Sequence, residues 1–295
     1  SVTDVCGRPI FQNSDEGEIN AFAGIVGGLT SLRLNDSIRR AKKFALLVQA
    51  LATSTTLTAL DLSSNVEYKS EAVLAAFTAL LSNTTITSLN LSSNSLVDID
   101  LSRFSAKLAL NKTLLELNMD YCGINHLAGL HLCDAMSTNK SLTSISVQYN
   151  AFSSYTIEAF YNMASERELH IFNVATEYQL NTTKIANTLR QVASSILDLK
   201  PSLVDLLEEI GSSTRLTSLV LTNNVVRWRE TILAFIPVCR FLMQCPILST
   251  LEMPARMFKA AEEASSFFQT LSDHPSLSQL TITGYLDVVP AEVLL

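Results

Sequence analysis

The chain has 295 residues, which suffices for two average domains or for one long array of repeats. Its apolar fraction of 47% and mean hydropathy of +0.25 exclude an intrinsically disordered chain. The net charge is −7, from 21 Lys and Arg against 28 Asp and Glu. Because nucleic-acid binders neutralise phosphates with basic side chains, we expect a folded protein with no nucleic-acid partner.

The sequence carries no targeting signal that we recognise. No apolar run approaches the roughly 18–20 residues of a membrane helix, and residues 1–25 lack the basic start and apolar stretch of a secretory signal peptide. Five cysteines in a chain of this length do not make a disulfide framework. We therefore expect a cytoplasmic, monomeric protein with no membrane span.

Residues 1–28 predict a helical cap at the N-terminus. Asp15 and Glu18 form a capping box, which opens an amphipathic helix that stops at Gly27-Gly28. A stack of repeats needs such a cover, because its first unit otherwise exposes its apolar core.

From residue 29 onward the chain repeats one pattern. In the segment 57–65, apolar residues stand at steps 1, 4 and 6, and an asparagine stands at step 9. Copies follow one another mostly at 27–32 residues, and a further, degenerate copy is expected through Leu197 and Leu199. The residues at step 1 are Leu29, Leu57, Ile86, Leu114, Leu142, Leu169, Leu216, Leu248 and Leu277.

This L-x-x-L-x-L-x-x-N/C spacing is the pattern of leucine-rich repeats. The alternation within L-x-L predicts a short strand. The residue at step 9 predicts a turn whose buried backbone groups need a side-chain partner. That step is held by Asn65, Asn94, Asn150, Asn224 and Cys122.

Between the strands the sequence predicts helices. One is expected over 70–81 with Ser70 as its N-cap, and others are expected over 98–110 and 228–243. Pro237 is expected to kink the last of these helices.

Strands and helices pack at different spacings, and this difference predicts a curved fold. Adjacent strands lie about 4.8 Å apart, whereas packed helices lie about 8–10 Å apart. The predicted fold class is therefore α/β: a leucine-rich repeat solenoid, or horseshoe, with a parallel sheet on the concave face and helices on the convex face. We expect the solenoid over 29–285, irregular around 175–215, followed by a C-terminal tail at 286–295.

Four residues superficially offer zinc ligands, namely Cys122, His126, His131 and Cys133. The repeat register assigns Cys122 to the turn at step 9. On a helix, His126 and His131 would lie about 140° apart and His131 and Cys133 about 200° apart. These side chains therefore do not converge, and we predict no metal site.

The usual enzyme signatures are absent from the sequence. It contains no Walker loop, no dinucleotide-binding fingerprint and no Gly-x-Ser-x-Gly. The four histidines stand at different steps of the repeat, so no nucleophile–base pair is predicted. We expect a protein that is not an enzyme, with no catalytic residues and no cofactor.

Two further patterns have competing interpretations. Asn83, Asn111, Asn139 and Asn181 begin formal glycosylation sequons. The first three fall where a helix ends before a strand, and no signal peptide is visible, so we interpret the sequons as turn residues. The basic cluster over 33–43 is typical of the wet face of a half-buried helix; a phosphate or membrane patch is the alternative.

The residues at the variable positions between the leucines of each repeat are expected to form the concave face. Its middle repeats combine aromatic residues with carboxylates, as protein interfaces do, and Tyr121 and Tyr149 stand at the same step of adjacent copies. We expect those two side chains to lie close together. The alternative is that a face rich in Ser and Thr serves solubility alone. The predicted partner-binding residues are Glu116, Asn118, Asp120, Tyr121, Ser146, Gln148, Tyr149, His170 and Asn173.

The segments 81–94, 110–122 and 138–150 resemble leucine-rich repeats of the ribonuclease-inhibitor type. Their composition, rich in Asn, Ser and Thr, also resembles that of the leucine-rich repeat effectors of Legionella-type intracellular bacteria. That resemblance implies a non-enzymatic protein-recognition module: a virulence effector, delivered into the host-cell cytoplasm without a classical signal peptide, that binds a host protein through its concave face.

Two alternatives remain open at this point. Ran GTPase-activating proteins share this class of repeat, so the chain could regulate a small GTPase. It could also be the substrate-recognition part of a longer protein.

Overall fold

The computed structural model describes residues 17, 22, 28–38, 40–167, 169–174, 194–198, 213, 215–222, 235–254 and 261–283. The chain divides into two compact units, Ser1–Met163 and Ala164–Leu295, and each unit is described by itself. Most of the expected N-terminal cap helix lies outside the described residues, although Gly17 and Phe22 are helical. The expected tail at 286–295 also lies outside them.

The first unit alternates strands with helices, as the repeat pattern predicts. In chain order its elements are β1 (Ser31–Arg33), α1 (Ala41–Leu51), β2 (Ala59–Asp61), α2 (Glu71–Leu80), β3 (Ser88–Asn90), α3 (Ser102–Leu110), β4 (Glu116–Asn118), α4 (His126–Thr138), β5 (Ser144–Ser146) and α5 (Ser154–Ser165).

The strands β1 to β5 pair in parallel and in chain order. The residue at step 4 of each copy lies opposite the residue at step 4 of the next, and all of these side chains are at most 7% exposed. Burying each of them contributes about 1.5–3 kcal/mol. The column consists of Leu32, Leu60, Leu89, Leu117 and Ile145.

The helices cover this column from one side. Phe44 of α1, Phe77 of α2 and Phe104 of α3 are each fully buried. The rings of Phe44 and Phe77 meet edge to face, with their centroids 5.9 Å apart. Each helix therefore packs against the next, and the core runs from repeat to repeat.

The second unit contains the same kind of repeat. Its described strands pair in parallel in chain order, which confirms the predicted α/β leucine-rich repeat fold. Its elements are β6 (Ile171–Asn173), β7 (Ser194–Asp198), β8 (Ser218–Thr222), α6 (Phe235–Gln244), β9 (Thr250–Pro254), α7 (Ala261–Ser272) and β10 (Gln279–Thr283).

The degenerate copy through Leu197 forms the strand β7. Leu197 lies opposite Leu221, which places it at step 6 of the repeat, and Ser195 takes step 4 opposite Leu219. Ser194 follows its partner Ile171 by 23 residues, so this repeat is shorter than those of the first unit. Leu199 lies outside the described residues.

One helix starts later than the sequence predicts. The helix expected from residue 98 begins at Ser102, because Asp98 has a φ of +53°, in the left-handed region. The carboxylate of Asp100 then accepts the N–H of Ser102 at 2.8 Å. The predicted N-cap at Ser70 is confirmed, since its hydroxyl accepts the N–H of Val73 at 3.4 Å.

The helix expected over 228–243 is described only from Phe235 onward, as α6, and residues 228–234 lie outside the described part of the chain. Pro237 lies within α6.

The side chains at step 9 join neighbouring repeats. Oδ1 of Asn94 accepts the N–H groups of Asn65 and Val66, both at 3.0 Å, and its Nδ2 donates to the carbonyl of Leu62 at 2.9 Å. Asn65 makes the same set of bonds with the repeat before it. Each asparagine therefore satisfies buried backbone groups of two repeats at once.

Cys122 takes this step in the fourth repeat, as predicted. Its thiol donates to the carbonyl of Leu91 at 3.3 Å, and the residue is 1% exposed. Burial raises the pKa of the Cys122 thiol to about 12, so the group stays protonated and unreactive at neutral pH. Burial likewise raises the pKa of Cys133 in α4 to about 12.

A second column of polar side chains lies three residues before step 1. Oδ1 of Asn139 accepts the N–H groups of Ser141 and Leu142 at 2.9 and 2.7 Å, and its Nδ2 donates to the carbonyls of Leu108 and Asn111 at 2.6 and 2.8 Å. Oδ1 atoms at Asn83 and Asn111 accept the corresponding N–H groups, which confirms these three sequons as turn residues, while Asn181 lies outside the described residues. The residues at this step include Ser54, Asn83, Asn111 and Asn139 in the first unit and Ser213, Cys245 and His274 in the second.

Sequence analysis did not assign His274 to this column. Its Nδ1 accepts the N–H of Leu277 at 3.1 Å, and its Nε2 lies 3.1 Å from the carbonyl oxygen of Cys245. A ring that accepts at Nδ1 carries its proton at Nε2, so the imidazole supplies one acceptor and one donor, as an asparagine amide does.

We expect Asn139→Ala to lower the free energy of unfolding by about 2–4 kcal/mol, because it leaves buried backbone donors and acceptors unpaired. Asn139→Ser keeps the acceptor, as Ser54 does in its own repeat, and should lose about half as much. Urea unfolding of both variants provides the measurement. Thr138→Ala, at an exposed neighbouring position, is the control; equal losses in all three variants would contradict the role of this column.

Candidate functional site

The predicted partner-binding residues fall in both units. Glu116, Asn118 and Ser146 lie on the strands β4 and β5, and Asp120, Tyr121, Gln148 and Tyr149 lie in the turns that follow them. These seven residues belong to the first unit. His170, which is exposed, and Asn173 belong to the second unit, before and on β6.

These residues differ in exposure, and Asn118, Asp120 and Tyr149 are half-buried. Glu116 and Tyr121 are exposed, Tyr121 by 54%. Ser146, Gln148 and Asn173 are only 8%, 4% and 6% exposed. The expectation that every step between the leucines presents its side chain to solvent is therefore wrong for these three residues.

The side chains at step 5 brace the turns of their own repeats. In three successive repeats an Oδ1 atom at step 5 accepts the N–H of the residue at step 7, at 2.9–3.0 Å. A brace of this kind fixes the backbone as the strand leaves the sheet. The three bracing residues are Asp61, Asn90 and Asn118.

The fifth repeat has Ser146 at step 5, and the Asp120 carboxylate of the preceding repeat takes over the brace. Oδ1 of Asp120 accepts the N–H of Gln148 at 2.6 Å and the hydroxyl of Ser146 at 2.8 Å. This arrangement accounts for the burial of Ser146 and Gln148. Asp120 is therefore a structural residue as well as a candidate surface residue.

Burial raises the pKa of Asp120 above the ordinary aspartate value, and the hydrogen bonds from Ser146 and Gln148 oppose that rise without cancelling it. Asp100 shows the opposite direction. Its hydrogen bonds from the backbone and the hydroxyl of Ser102 lower the pKa of that carboxyl.

The residues at step 8 share an unusual backbone conformation. All five in the first unit have φ between +49° and +59°, and the N–H of each of the first four donates to the carbonyl at step 7 of the next repeat, at 2.8–3.1 Å. Because the backbone repeats itself, these side chains project side by side along one edge of the sheet. We call them the step-8 row: Asp36, Ser64, Ser93, Tyr121 and Tyr149.

Tyr121 and Tyr149 stack within this row. Their ring centroids lie 4.1 Å apart and the planes make an angle of 18°, which confirms that the two side chains lie close together. Since neighbouring strands lie about 4.8 Å apart, the normals of both rings run along the row. Tyr149 therefore covers one face of Tyr121, and the opposite face looks along the row towards the exposed Ser93.

A shallow cavity of about 210 Å³ lies on the sheet face over β1 to β3. Small residues at step 3 and polar residues at step 5 contribute to its lining. At its edge, the hydroxyl of Ser88 donates to Oε2 of Glu116 at 2.9 Å. Its lining includes Ser31, Arg33, Ala59, Asp61, Ser88 and Asn90.

The other candidate sites of the sequence do not assemble in the described residues. No group of three or more His, Cys, Asp or Glu side chains there is placed to hold a metal ion. Nδ1 of His131 lies 3.8 Å from Oδ1 of Asp100. In the basic cluster, Arg33 lies on β1 whereas Lys42 lies on α1, and Arg39 is not described.

Within the described segments, no helix combines the length and the apolar character that crossing a bilayer requires.

No protein-family model matches the chain, and no curated protein does so either. Among solved structures, a chain of the yeast Rad7 and Elc1 complex is similar, with a TM-score of 0.54 at 13% identity over 95% of this chain and 75% of that one. At this identity the likeness is one of fold. Together with the repeat pattern, it defines a protein of the leucine-rich repeat fold.

Two shorter structures are also similar over about half of the chain. The actin-binding site 2 of leiomodin-1 has a TM-score of 0.41 at 22% identity, over 51% of this chain and 87% of that one. The C-terminal domain of Caenorhabditis elegans tropomodulin has a TM-score of 0.42 at 17% identity, over 51% of this chain and 91% of that one.

We expect Asp120→Ala to lower the free energy of unfolding by about 1–3 kcal/mol, because it leaves the buried N–H of Gln148 and the hydroxyl of Ser146 without their acceptor. Asp120→Asn keeps one acceptor oxygen and should lose less. Chemical unfolding of both variants measures the difference, and equal losses would contradict the bracing role.

The same carboxylate predicts a pH dependence with a definite sign. With its pKa raised in the folded state, Asp120 binds more protons folded than unfolded, so its contribution to stability falls as pH rises from the ordinary aspartate pKa to the raised one. We expect the stability of the native chain relative to Asp120→Asn to decrease over that window in urea unfolding. A difference that rises with pH would contradict the assignment.

Proposed function

We propose that the chain is a protein-recognition module that binds its partner through the stacked pair Tyr121 and Tyr149. The observation that carries this proposal is the stack itself, in which Tyr121 is exposed and Tyr149 is half-buried, built on left-handed backbone at φ +55° for both residues. The other five predicted residues of the first unit lie on the strands and turns of the same two adjacent repeats.

The energetics of the stack favour a role in binding over a role in folding. An L-residue in the left-handed region costs roughly 1–2 kcal/mol, and bulky residues tolerate that region poorly. An aromatic pair recovers only about 0.5–1.5 kcal/mol. Ser64 and Ser93 build the same turn without aromatic rings. Since the turn does not need the two rings, their presence indicates a functional site.

Tyrosine is well suited to such a site. Its ring presents a large and rigid contact area at a low cost in conformational entropy, and tyrosine is enriched among the residues that dominate binding energy. The similar fold in the yeast Rad7 and Elc1 complex occurs in an assembly of two proteins, which supports the same class of function here.

The identity of the partner is a finer part of the proposal. The resemblance to Legionella-type effectors, carried by segments such as 81–94 and 138–150, makes a host protein the expected partner and virulence the expected context. Eukaryotic cytosol is therefore the source in which to search.

We expect the double variant Tyr121→Ser/Tyr149→Ser to lose its partner in affinity capture from eukaryotic cytosol with mass spectrometry. Serine is the residue of this row in two other repeats, so the free energy of unfolding should change by no more than about 1.5 kcal/mol. Native chain and variant are compared at equal concentration.

The matched control is Tyr68→Ser/Tyr155→Ser, which removes two tyrosines that are 79% and 70% exposed elsewhere in the same unit. It should keep the partner. Capture that survives loss of the stacked pair, or that is lost equally in the control, would refute the proposed site.

A further inference from the structure

We propose that the uncovered face of the Tyr121 ring receives an arginine side chain, presented by a basic segment of the protein partner. This inference rests on the proposed function and specifies its chemistry. The geometry of the step-8 row and the charge of the sheet face beside it carry the argument.

The row leaves one place in the stack empty. Tyr149 occupies the position on one side of Tyr121 at 4.1 Å. On the other side the next residue is Ser93, followed by Ser64, and both are small and exposed. A planar group can therefore continue the stack above Ser93. At the strand spacing, Ser93 and Ser64 together leave about 10 Å along the row for such a group.

The charge of the surrounding face selects a cation. At steps 3, 5, 7 and 8 of the five repeats of the first unit, all of them described, there are four carboxylates and one basic group. Clefts and faces of one charge raise the local concentration of the opposite charge. The charged residues are Arg33, Asp36, Asp61, Glu116 and Asp120.

Arginine meets both requirements at neutral pH, where histidine is mostly uncharged. Its guanidinium is planar, stacks on aromatic faces and carries a permanent charge. Lysine has the charge without the plane, and a neutral aromatic ring has the plane without the charge. A cation on an exposed tyrosine face contributes a few-fold in affinity, and further basic residues of the segment would lie over Asp61 and Glu116.

The test uses the full chain and three synthetic peptides of the form acetyl-(Gly-Xaa)3-amide, in which Xaa is arginine, lysine or citrulline. Citrulline keeps the plane of arginine and removes its charge. Binding is followed by NMR of chains labelled with 13C at the ζ carbon of the tyrosine rings, which give seven tyrosine signals at most. The single variants Tyr121→Ser and Tyr149→Ser assign the two signals of interest.

We expect the arginine peptide to shift the Tyr121 signal saturably and to bind about 2- to 5-fold more tightly than either the lysine or the citrulline peptide. Tyr121→Ser should abolish that preference, and Tyr68→Ser should preserve it. Raising the salt concentration should weaken binding, because exposed charges are screened beyond about 8 Å at physiological ionic strength.

Two further variants test the carboxylates without disturbing the fold. Asp61→Asn keeps the Oδ1 that braces the turn, as Asn90 and Asn118 do. Glu116→Gln keeps an acceptor for the hydroxyl of Ser88. Each should weaken the arginine peptide by up to about 5-fold and leave the citrulline peptide unchanged.

The arginine assignment is overturned if the three peptides bind alike, if lysine or citrulline binds more tightly, or if no peptide shifts the Tyr121 signal at millimolar concentration. These outcomes are separate from the fate of the proposed function. If the stacked pair is required for capture of a partner and the arginine peptide shows no preference, the site stands and its ligand has a different chemistry. If partner capture does not require the stacked pair, the proposed function is refuted, whatever the peptides show.

Discussion

The structure depends on one constraint: the turns of each repeat bury backbone groups, and side chains of the repeats must bond them. Asn94 bonds the turn of the preceding repeat with its oxygen and donates to backbone carbonyls with its nitrogen. The column through Asn139 does the same where each helix ends. An unpaired buried amide costs about 1–3 kcal/mol, so a slip between repeats would break many bonds at once. The parallel register follows from this.

The constraint selects hydrogen-bonding capacity rather than a particular residue. Cys122 replaces an asparagine by donating its thiol proton to the carbonyl of Leu91, and His274 replaces one by accepting at Nδ1. Where Ser146 is too short to brace its own turn, Asp120 reaches across from the neighbouring repeat. Residues that depart from the repeat pattern are therefore substitutions within one hydrogen-bond network. They or their neighbours supply the bonds that an asparagine makes in the other repeats.

The spacing of apolar residues predicted the parts of the fold that depend on periodicity, namely the strands, the core column and the contact between Tyr121 and Tyr149. It did not predict features that depend on which neighbour supplies a hydrogen bond. Gln148 is buried because the Asp120 carboxylate of the preceding repeat accepts its N–H. The step of Leu197 follows from pairing with Leu221, because a repeat of unusual length gives the sequence no register. Of the candidate site, the sequence therefore located the columns, and the structure separated exposed from bracing residues.

The hydrogen bonds between neighbouring repeats also explain how the stacked pair is held in place. Each repeat contacts only its neighbours, so strain at one turn stays local and is held by the bonds on either side of it. Tyr121 sits between the buried Cys122 and the Asp120 brace, and its N–H is bonded to the carbonyl of Gln148. The ring therefore starts from a fixed backbone and a fixed stacking partner. A ligand that adds to a surface already ordered loses less entropy on binding, so a strained aromatic pair held in this way suits the recognition role that we propose for it.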